Sequence, residues 1–568
     1  MIRIKIFIYV LTAGLFLTGT GCKKYLDVNK NLNNPTAVPV STLLTEAEVQ
    51  IGNAMAMSSG LSGGLSVYMH QACTRGNADG YGIKGDNFSV ENPWSLFYGA
   101  IADMDVIISQ GTAESRLKYV GITKILKAYT FSIMVDMWGD IPFSEFNKFQ
   151  NGIKQPKFDD DAAIYPQLLT MIDAGIVDIN NTAANPTVPG ADDLIYGGNM
   201  GRWIKAANTI KLKMYTQLRR IQNVTPQVTA LLATPANLIN TTVESFLMPY
   251  GPFGSTDDRN PGFGDYTASQ RGQNVSPWVY EIMKGISSPG ATYTSVFNGI
   301  TDPRMPYYIY NQLSIVSPPA PPNATEYRDG PFVTLYFGSL GPNRNGAQQN
   351  AYSMFGIYPV GGRYDDGLGS APPAGATSAS GTGAAPYRMI TYADRLFLEA
   401  ELINTGVYTG DARSVFSAAM SAAMAQVDYV ITTYVKPTTQ TVPALGLQTA
   451  YINSILALYD AGTTAKKLEY IMTQKWLSSF GSNVDQYTDY RRTGYPVLFD
   501  PTNPAMAPGG RAQPPLAGNP LLNPQASVPV ALSKAFPESL PWSQSEKDLN
   551  ANAPAQKVPE NYKIFWKP

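Results

Sequence analysis

The sequence predicts a mostly α-helical protein with a loop-rich middle. Three observations carry that expectation. Apolar residues recur at helical spacing in several long segments on both sides of the chain's centre. Those segments come in neighbouring pairs with short connections. Between them, residues 235–390 hold clusters of glycine and proline that interrupt long helices, so loops and short strands are expected there.

The N-terminal segment stands outside that body. Arg3 and Lys5 precede an apolar run from Ile6 to Leu17, and Gly19, Thr20 and Gly21 lead to Cys22. This is the layout of a secretory signal peptide over residues 1–21, too short to span a bilayer as a helix. A cysteine directly after small residues also looks like the acceptor of a bacterial lipobox, although Gly19 stands where a branched aliphatic residue is usual. Cys22 is therefore expected to carry lipid; an ordinary signal peptide with an incidental cysteine is the alternative. No second apolar run approaches membrane-spanning length, so residues 22–568 read as a body on a lipid anchor.

The helices follow in order. "SLFYGAIADMDVIIS" (95–109) precedes a segment, 122–138, in which Ile122, Ile125, Leu126, Tyr129, Ile133 and Met137 form one stripe. Residues 159–176 open on aspartates, the sign a helix N-terminus favours, and 201–221 ends on Arg219 and Arg220, the sign a C-terminus favours. Beyond the middle, Ala393, Leu396, Phe397, Ala400 and Ile403 share a face in 392–403, and segments 412–427 and 466–480 complete the set. Short connections suit stacked antiparallel hairpins, a tetratricopeptide-like scaffold drawn mainly from 93–221 and 389–495. The intervening 235–390 holds "YGPFGSTDDRNPGFGDY" (250–266), "SPPAPPN" (317–323) and the low-complexity "SAPPAGATSASGTGAAP" (370–386).

Composition narrows the function. With 42 basic and 43 acidic residues the net charge is −1, which offers no electrostatic footprint for nucleic acid. Charged residues are 15%, whereas aromatics reach 11% with 34 tyrosines. Tyrosine-rich, weakly charged loops suit neutral polar ligands, because the ring offers an apolar face and a hydroxyl. Cys22 and Cys73 are the only cysteines. If Cys22 carries lipid, no disulfide framework exists and the core alone must hold the fold.

Catalytic constellations are sparse. "GLSGG" (60–64) matches a nucleophile-elbow pattern at Ser62, but no strand pattern precedes it, and the sole histidine, His70, lies in the same helical stretch. One histidine and one spare cysteine leave almost no ligands for zinc. Glycoside hydrolysis needs two carboxylates across a bond; Asp136 with Asp140, Glu399 with Glu401, and Asp257 with Asp258 are the candidates. The "WGDIP" stretch has the look of a tight helix stop, which gives Asp140 a structural role instead. Asp257, Asp258 and Asp265 are the residues that could feed a calcium site; a solvated loop is the alternative. No phosphate loop or dinucleotide fingerprint is present.

Several stretches together resemble the collinear motifs of the SusD/RagB-like family of nutrient-binding outer-membrane lipoproteins. They are "CKKYLDVNKNLNNPT" (22–36), "KILKAYTFSIMVDMWGDIPFSEF" (124–146), "GGNMGRWIKAANTIKLKM" (197–214), "TDPRM" (301–305), "MITYADRLFLEAE" (389–401), "MTQKWLSSFGSNVDQYTDYRRTGYP" (472–496) and "FPESLPWSQSEKDLNAN" (536–552). The second is the most specific, with Phe143 and Phe146 replacing a usual Tyr and Ala. Leu32 replaces a proline, and Glu538 and Ser539 stand where paired arginines are frequent.

The resemblance implies a right-handed superhelical scaffold of tetratricopeptide-like helix pairs beneath a loop-rich ligand face with short strands. It implies lipid, such as palmitate, on Cys22 and a place on the outer leaflet of the outer membrane. The body would sit as a lid on a SusC-like TonB-dependent barrel and deliver oligosaccharides, or in some members peptides, without chemistry of its own and without a cofactor. Trp138, Pro142, Trp203, Trp476 and Arg491 would then pack helices or face the barrel. Ligand contacts are expected from two loops: Arg75, Asn77, Tyr81 and Asn87 in 74–88, and Arg271, Gln273, Asn274 and Trp278 in 269–280. The alternatives are that Trp278 starts a buried helix and that Arg75 orders its own loop. A surface glycoside hydrolase and an adhesive lipoprotein without a small ligand are the competing functions.

Overall fold

The computed structural model describes residues 38–568 except 76–79, 184, 253–256, 268–271, 288–293, 316–325, 342–343, 345–350, 360, 370–381, 437–444, 502, 504–505, 509–527 and 531–534. The signal segment and Cys22 lie outside the described residues. The first half carries α1 (Val40–Met55), α2 (Leu61–Tyr68), α3 (Phe88–Ala113), α4 (Leu117–Trp138), α5 (Asp161–Asn180), α6 (Met200–Leu218) and α7 (Thr225–Leu232). Among the described residues the α-helices of the middle are the short α8 (Gly262–Thr267), α9 (Pro277–Lys284) and α10 (Met305–Tyr308). The second half carries α11 (Tyr392–Asn404), α12 (Ala412–Val430), α13 (Leu445–Ala461), α14 (Thr464–Ser478), α15 (Val484–Thr493) and α16 (Gln544–Leu549). The fold is thus mostly helical, with few and short strands.

Local chemistry sets the helix starts. The side chains of Asn87, Asp160, Asn199, Asp411 and Thr463 accept the orphan backbone N–H groups of α3, α5, α6, α12 and α14. Thr391 and Asp394 form a reciprocal capping box on α11. The cap at Asn87 explains why α3 begins seven residues earlier than the apolar stripe alone predicts. α4 is apolar around most of its circumference and is therefore the central helix, with α1, α3, α5 and α6 packed on it. Gly121 of α4 and Gly175 of α5 let the two backbones touch: a Cβ on Gly121 would stand 2.6 Å from the Gly175 carbonyl oxygen. The "WGDIP" turn is a sharp stop, with Gly139 at φ 73° and Asp140 Oδ1 accepting the Asp161 N–H at 3.0 Å.

By length and composition α5 and the helix continuing α12 to Val435 reach the apolar content of a membrane span, which the sequence reading did not register. Each lies against a partner helix in the scaffold, α5 on α4 and α12 on α11.

A buried ionic network joins the two helical halves. Glu401 of α11 accepts Arg492 Nη2 of α15 at 2.8 Å and Arg219, just past α6, at 2.9 Å. Arg492 also donates to Asp489 at 2.8 Å, Lys475 of α14 pairs with Asp489 at 2.7 Å, and Lys213 of α6 pairs with Asp485 at 2.6 Å. The motif tryptophans are scaffold: Trp138, Trp203 and Trp476 are fully buried and donate to Pro541 O, Asp193 and Met69 O. Arg491 donates to the Asp136 and Glu538 carbonyls, which ties the C-terminal segment to α4.

The described strands form five two-stranded antiparallel sheets: β1 (Ala72–Thr74) with β5 (Gln273–Val275), β2 (Ile141–Pro142) with β3 (Phe158–Asp159), β4 (Phe246–Met248) with β10 (Tyr387–Ile390), β6 (Ile309–Tyr310) with β9 (Met354–Phe355), and β7 (Tyr327–Asp329) with β8 (Phe332–Thr334).

Candidate ligand-binding site

The two loops singled out in the sequence meet. β1 pairs with β5 in the register Ala72–Val275, Cys73–Asn274 and Thr74–Gln273, and the Arg75 N–H extends the ladder to Gly272 O at 3.0 Å. This long-range pairing sets Arg75, Gln273 and Asn274 on one junction. Arg75 is 8% exposed. Gln273 is half-buried, with its amide donating to Gly63 O. Asn274 is buried, and its side-chain amide has no hydrogen-bond partner among the described residues. A buried amide with neither its donors nor its acceptor engaged is uncommon, since such a group costs about 1–3 kcal/mol.

Tyr81 stands beside this junction. Its hydroxyl is 2.6 Å from His70 Nε2, and its ring lies 4.9 Å from Phe337. Burial drives His70 down to about 3, so its imidazole is neutral at physiological pH and works as a packed hydrogen-bonding group. Burial likewise pushes the Cys73 thiol far up, which removes it as a nucleophile. Asn87 has a local task, accepting the Ser89 N–H at 2.9 Å as the cap of α3. Asn77 and Arg271 lie outside the described residues.

Trp278 follows Ser276 and Pro277 at the start of α9, is 3% exposed, and lies 5.9 Å from the Phe499 ring. A sugar could stack on it only after its protein cover moved. Trp278→Ala should therefore cost about 3–5 kcal/mol, read as a marked fall in melting temperature; an unchanged melting temperature with lost ligand binding would instead make it a contact residue.

Residues the sequence did not flag complete the neighbourhood. Thr334 of β8 donates to Val275 O at 2.6 Å, and Cys73 donates to Leu335 O at 3.0 Å. Gln312 donates to Tyr352 O at 2.6 Å, and Ser353 Oγ donates to Asn311 at 2.7 Å. They sit on irregular chain or on strands of three residues, too short to give a periodic signal, so only the fold places them here. A separate cavity of about 40 Å3 is ringed by Tyr307, Tyr308, Tyr358, Tyr364 and Tyr387.

The carboxylate pairs are engaged elsewhere. Asp136 is fully buried and accepts Tyr165 at 2.8 Å, Gln217 at 2.9 Å and Trp566 at 2.9 Å. Glu399 pairs with Arg395 and Asp257 with Arg259, while Glu401 belongs to the buried network. Ser62 is buried in α2, 3.0 Å from the Tyr387 hydroxyl and accepting the Asn483 N–H. No group of three metal-ligating side chains stands together among the described residues; Asp265's side chain lies outside them.

A SusD-like family model, described as starch-binding and associating with the outer membrane, matches residues 32–514. The chain belongs to the SusD-like family. Its SusD-like fold recurs in solved structures. A SusD homologue from Bacteroides fragilis is 20% identical with a TM-score of 0.60, over 90% of this chain and 94% of that one. A SusD/RagB family protein from Bacteroides thetaiotaomicron is 16% identical with a TM-score of 0.64, over 94% and 99%. A chitin-binding SusD homologue from Flavobacterium johnsoniae is 16% identical with a TM-score of 0.61, over 92% and 98%. At such identities the likeness is one of fold. No curated protein matches the sequence. The family description is thus of a glycan-binding protein associated with the outer membrane.

Proposed function

We propose that this SusD-like protein is a surface lipoprotein, anchored through Cys22 after removal of residues 1–21, that captures oligosaccharide and delivers it to a SusC-like TonB-dependent barrel. Peptide is the other nutrient class the family reading admits. The family match over 32–514 carries the proposal. The β1–β5 junction supports its location, because it gathers Arg75, Gln273, Asn274 and the adjoining Tyr81 into one polar and aromatic neighbourhood of little net charge. Sugar hydroxyls need donors and acceptors of that kind, and the unengaged Asn274 amide has both, although at 1% exposed it, like Trp278, meets a sugar only once its cover moves. The carboxylate pairs are held in structural bonds, which supports binding without hydrolysis. No metal or cofactor enters the proposal.

Calorimetric titration of maltoheptaose and of chitohexaose into the mature chain tests it. Saturable heat with one series is expected, reduced at least about tenfold in affinity by Tyr81→Ala, which removes a stacking ring and a hydroxyl. Absence of binding to both glycans and to peptide digests would sink the capture reading. Release of new reducing ends would transfer the protein to the hydrolases.

A further inference from the structure

A groove of about 690 Å3 lies where the first turns of α3, the turn spanning residues 142–156 and α16 meet. None of the described candidate ligand residues lines it. Three large apolar side chains stand open there: Phe88 is 65% exposed, Phe149 66% and Leu549 79%. Single exposed apolar residues are ordinary, but three gathered in one concavity mark a binding surface. The walls are pre-formed. Tyr98 donates to Pro142 O at 2.8 Å, and Glu91 accepts Ser543 Oγ at 2.7 Å and Ser545 N–H at 2.9 Å, which fixes α16 against α3.

The charge is one-sided. Glu91, Glu145 and Glu546 line the groove against a single cation, Lys154. Glu145 accepts the Lys157 backbone N–H and Glu546 accepts the Asn550 amide, and none of the three carboxylates has an ion-pair partner among the described residues. Carboxylates beside open apolar groups select a ligand that is apolar and cationic together.

We infer that this groove docks a segment of a partner protein in which aromatic or aliphatic side chains adjoin lysine or arginine. Other occupants fit less well. A second copy of this chain placed groove to groove would oppose like charges. Anionic lipid headgroups meet the same repulsion. Glycans stack best on rings that also carry a polar handle, yet Trp94 and Tyr98 here are only 4% and 8% exposed, and the open groups are phenylalanine and leucine.

The test is photo-crosslinking of the full-length chain in native outer membranes, with p-benzoylphenylalanine in place of Phe149 and, as control, in place of Val188, which is exposed and outside the groove. The expected result is one dominant adduct at position 149, whose sequenced partner peptide holds apolar residues with Lys or Arg within a few positions. Adding Glu145→Gln and Glu546→Gln should lower its yield at least about fivefold, since two of three attracting charges are gone. An adduct no stronger than the Val188 control overturns the inference. So does crosslinking to a neutral or acidic segment, to lipid, to glycan, to a second copy or to this chain's own residues 22–37. The glycan titration should be unchanged in the double variant, so docking and glycan capture can fail separately.

Discussion

Replacing Glu401 by glutamine is expected to destabilise the protein by about 3–5 kcal/mol, the cost of breaking a buried ionic contact from one side. Glu401 is wholly buried, and its two oxygens hold Arg492 and Arg219. The neutral variant leaves Arg219 without its carboxylate and Arg492 with Asp489 alone, which Lys475 already shares. A glutamine amide would also turn its own donors toward guanidinium donors. The pH dependence gives a second readout. Burial by itself would raise the Glu401 carboxyl, but Arg492 and then Arg219 outweigh it and hold the group well below the usual glutamate value of 4.5. A carboxyl depressed in the folded state stabilises fully above its unfolded value and loses that contribution as pH falls toward the folded one. The difference in denaturation midpoint between wild type and Glu401→Gln should therefore be constant from neutral pH to about 5 and shrink below it. A midpoint gap that is small at pH 7, or that widens in acid, would show that the network does not hold the two halves together.

This network also marks where the sequence stops being legible. α4, α5, α6, α11 and α12 declare themselves because each buries an apolar stripe at helical spacing. α1 carries such a stripe as well, at Val40, Leu44, Ala47, Ile51 and Ala54, though it was not among the segments read as helices. α15 could not be found that way. Its sequence, "VDQYTDYRRT", is polar: buried Asp489 and Arg492 pair with α14 and α11, Asp485 pairs with α6, and buried Arg491 donates to the Asp136 carbonyl of α4. The site shows the same division. Composition and motif pointed to two loops, but nothing local in either says that Cys73 will face Asn274, because strand pairing across so much chain is settled by the scaffold beneath. The burial of Trp278 was within reach, since Ser276 followed by Pro277 is a helix-start signature. Gln312 and Tyr352 were out of reach, as irregular segments carry no period to read.

The second large effect concerns Cys22. Cys22→Ser in the full-length chain is expected to move the protein from the outer-membrane fraction to the soluble fraction after a wash at about 1 M salt. The reasoning is additive. A lipobox cysteine carries more than one acyl chain, which suffices for durable attachment where a single chain would bind only marginally, and docking on a partner adds a second, salt-sensitive hold. For this protein the proposed signals are lipid at Cys22 and docking on a partner. Salt weakens the charged part of docking, since exposed pairs are screened within about 3 Å at 1 M, but leaves the hydrophobic insertion of an acyl chain intact. Wild type should thus survive the wash and Cys22→Ser should not. At low salt the variant should keep a residual membrane fraction that reports docking alone, and Glu145→Gln with Glu546→Gln should reduce that residue further. Retention of Cys22→Ser through high salt would mean that lipid is not the anchor. Complete release even at low salt would mean that docking contributes little, so that the anchor alone keeps the proposed glycan-binding face near the proposed transporter. The distinction bears directly on affinity. Tethering beside a pore raises the local concentration of captured ligand to the millimolar range, so a binder held by both signals functions with weak, rapidly reversible glycan contacts.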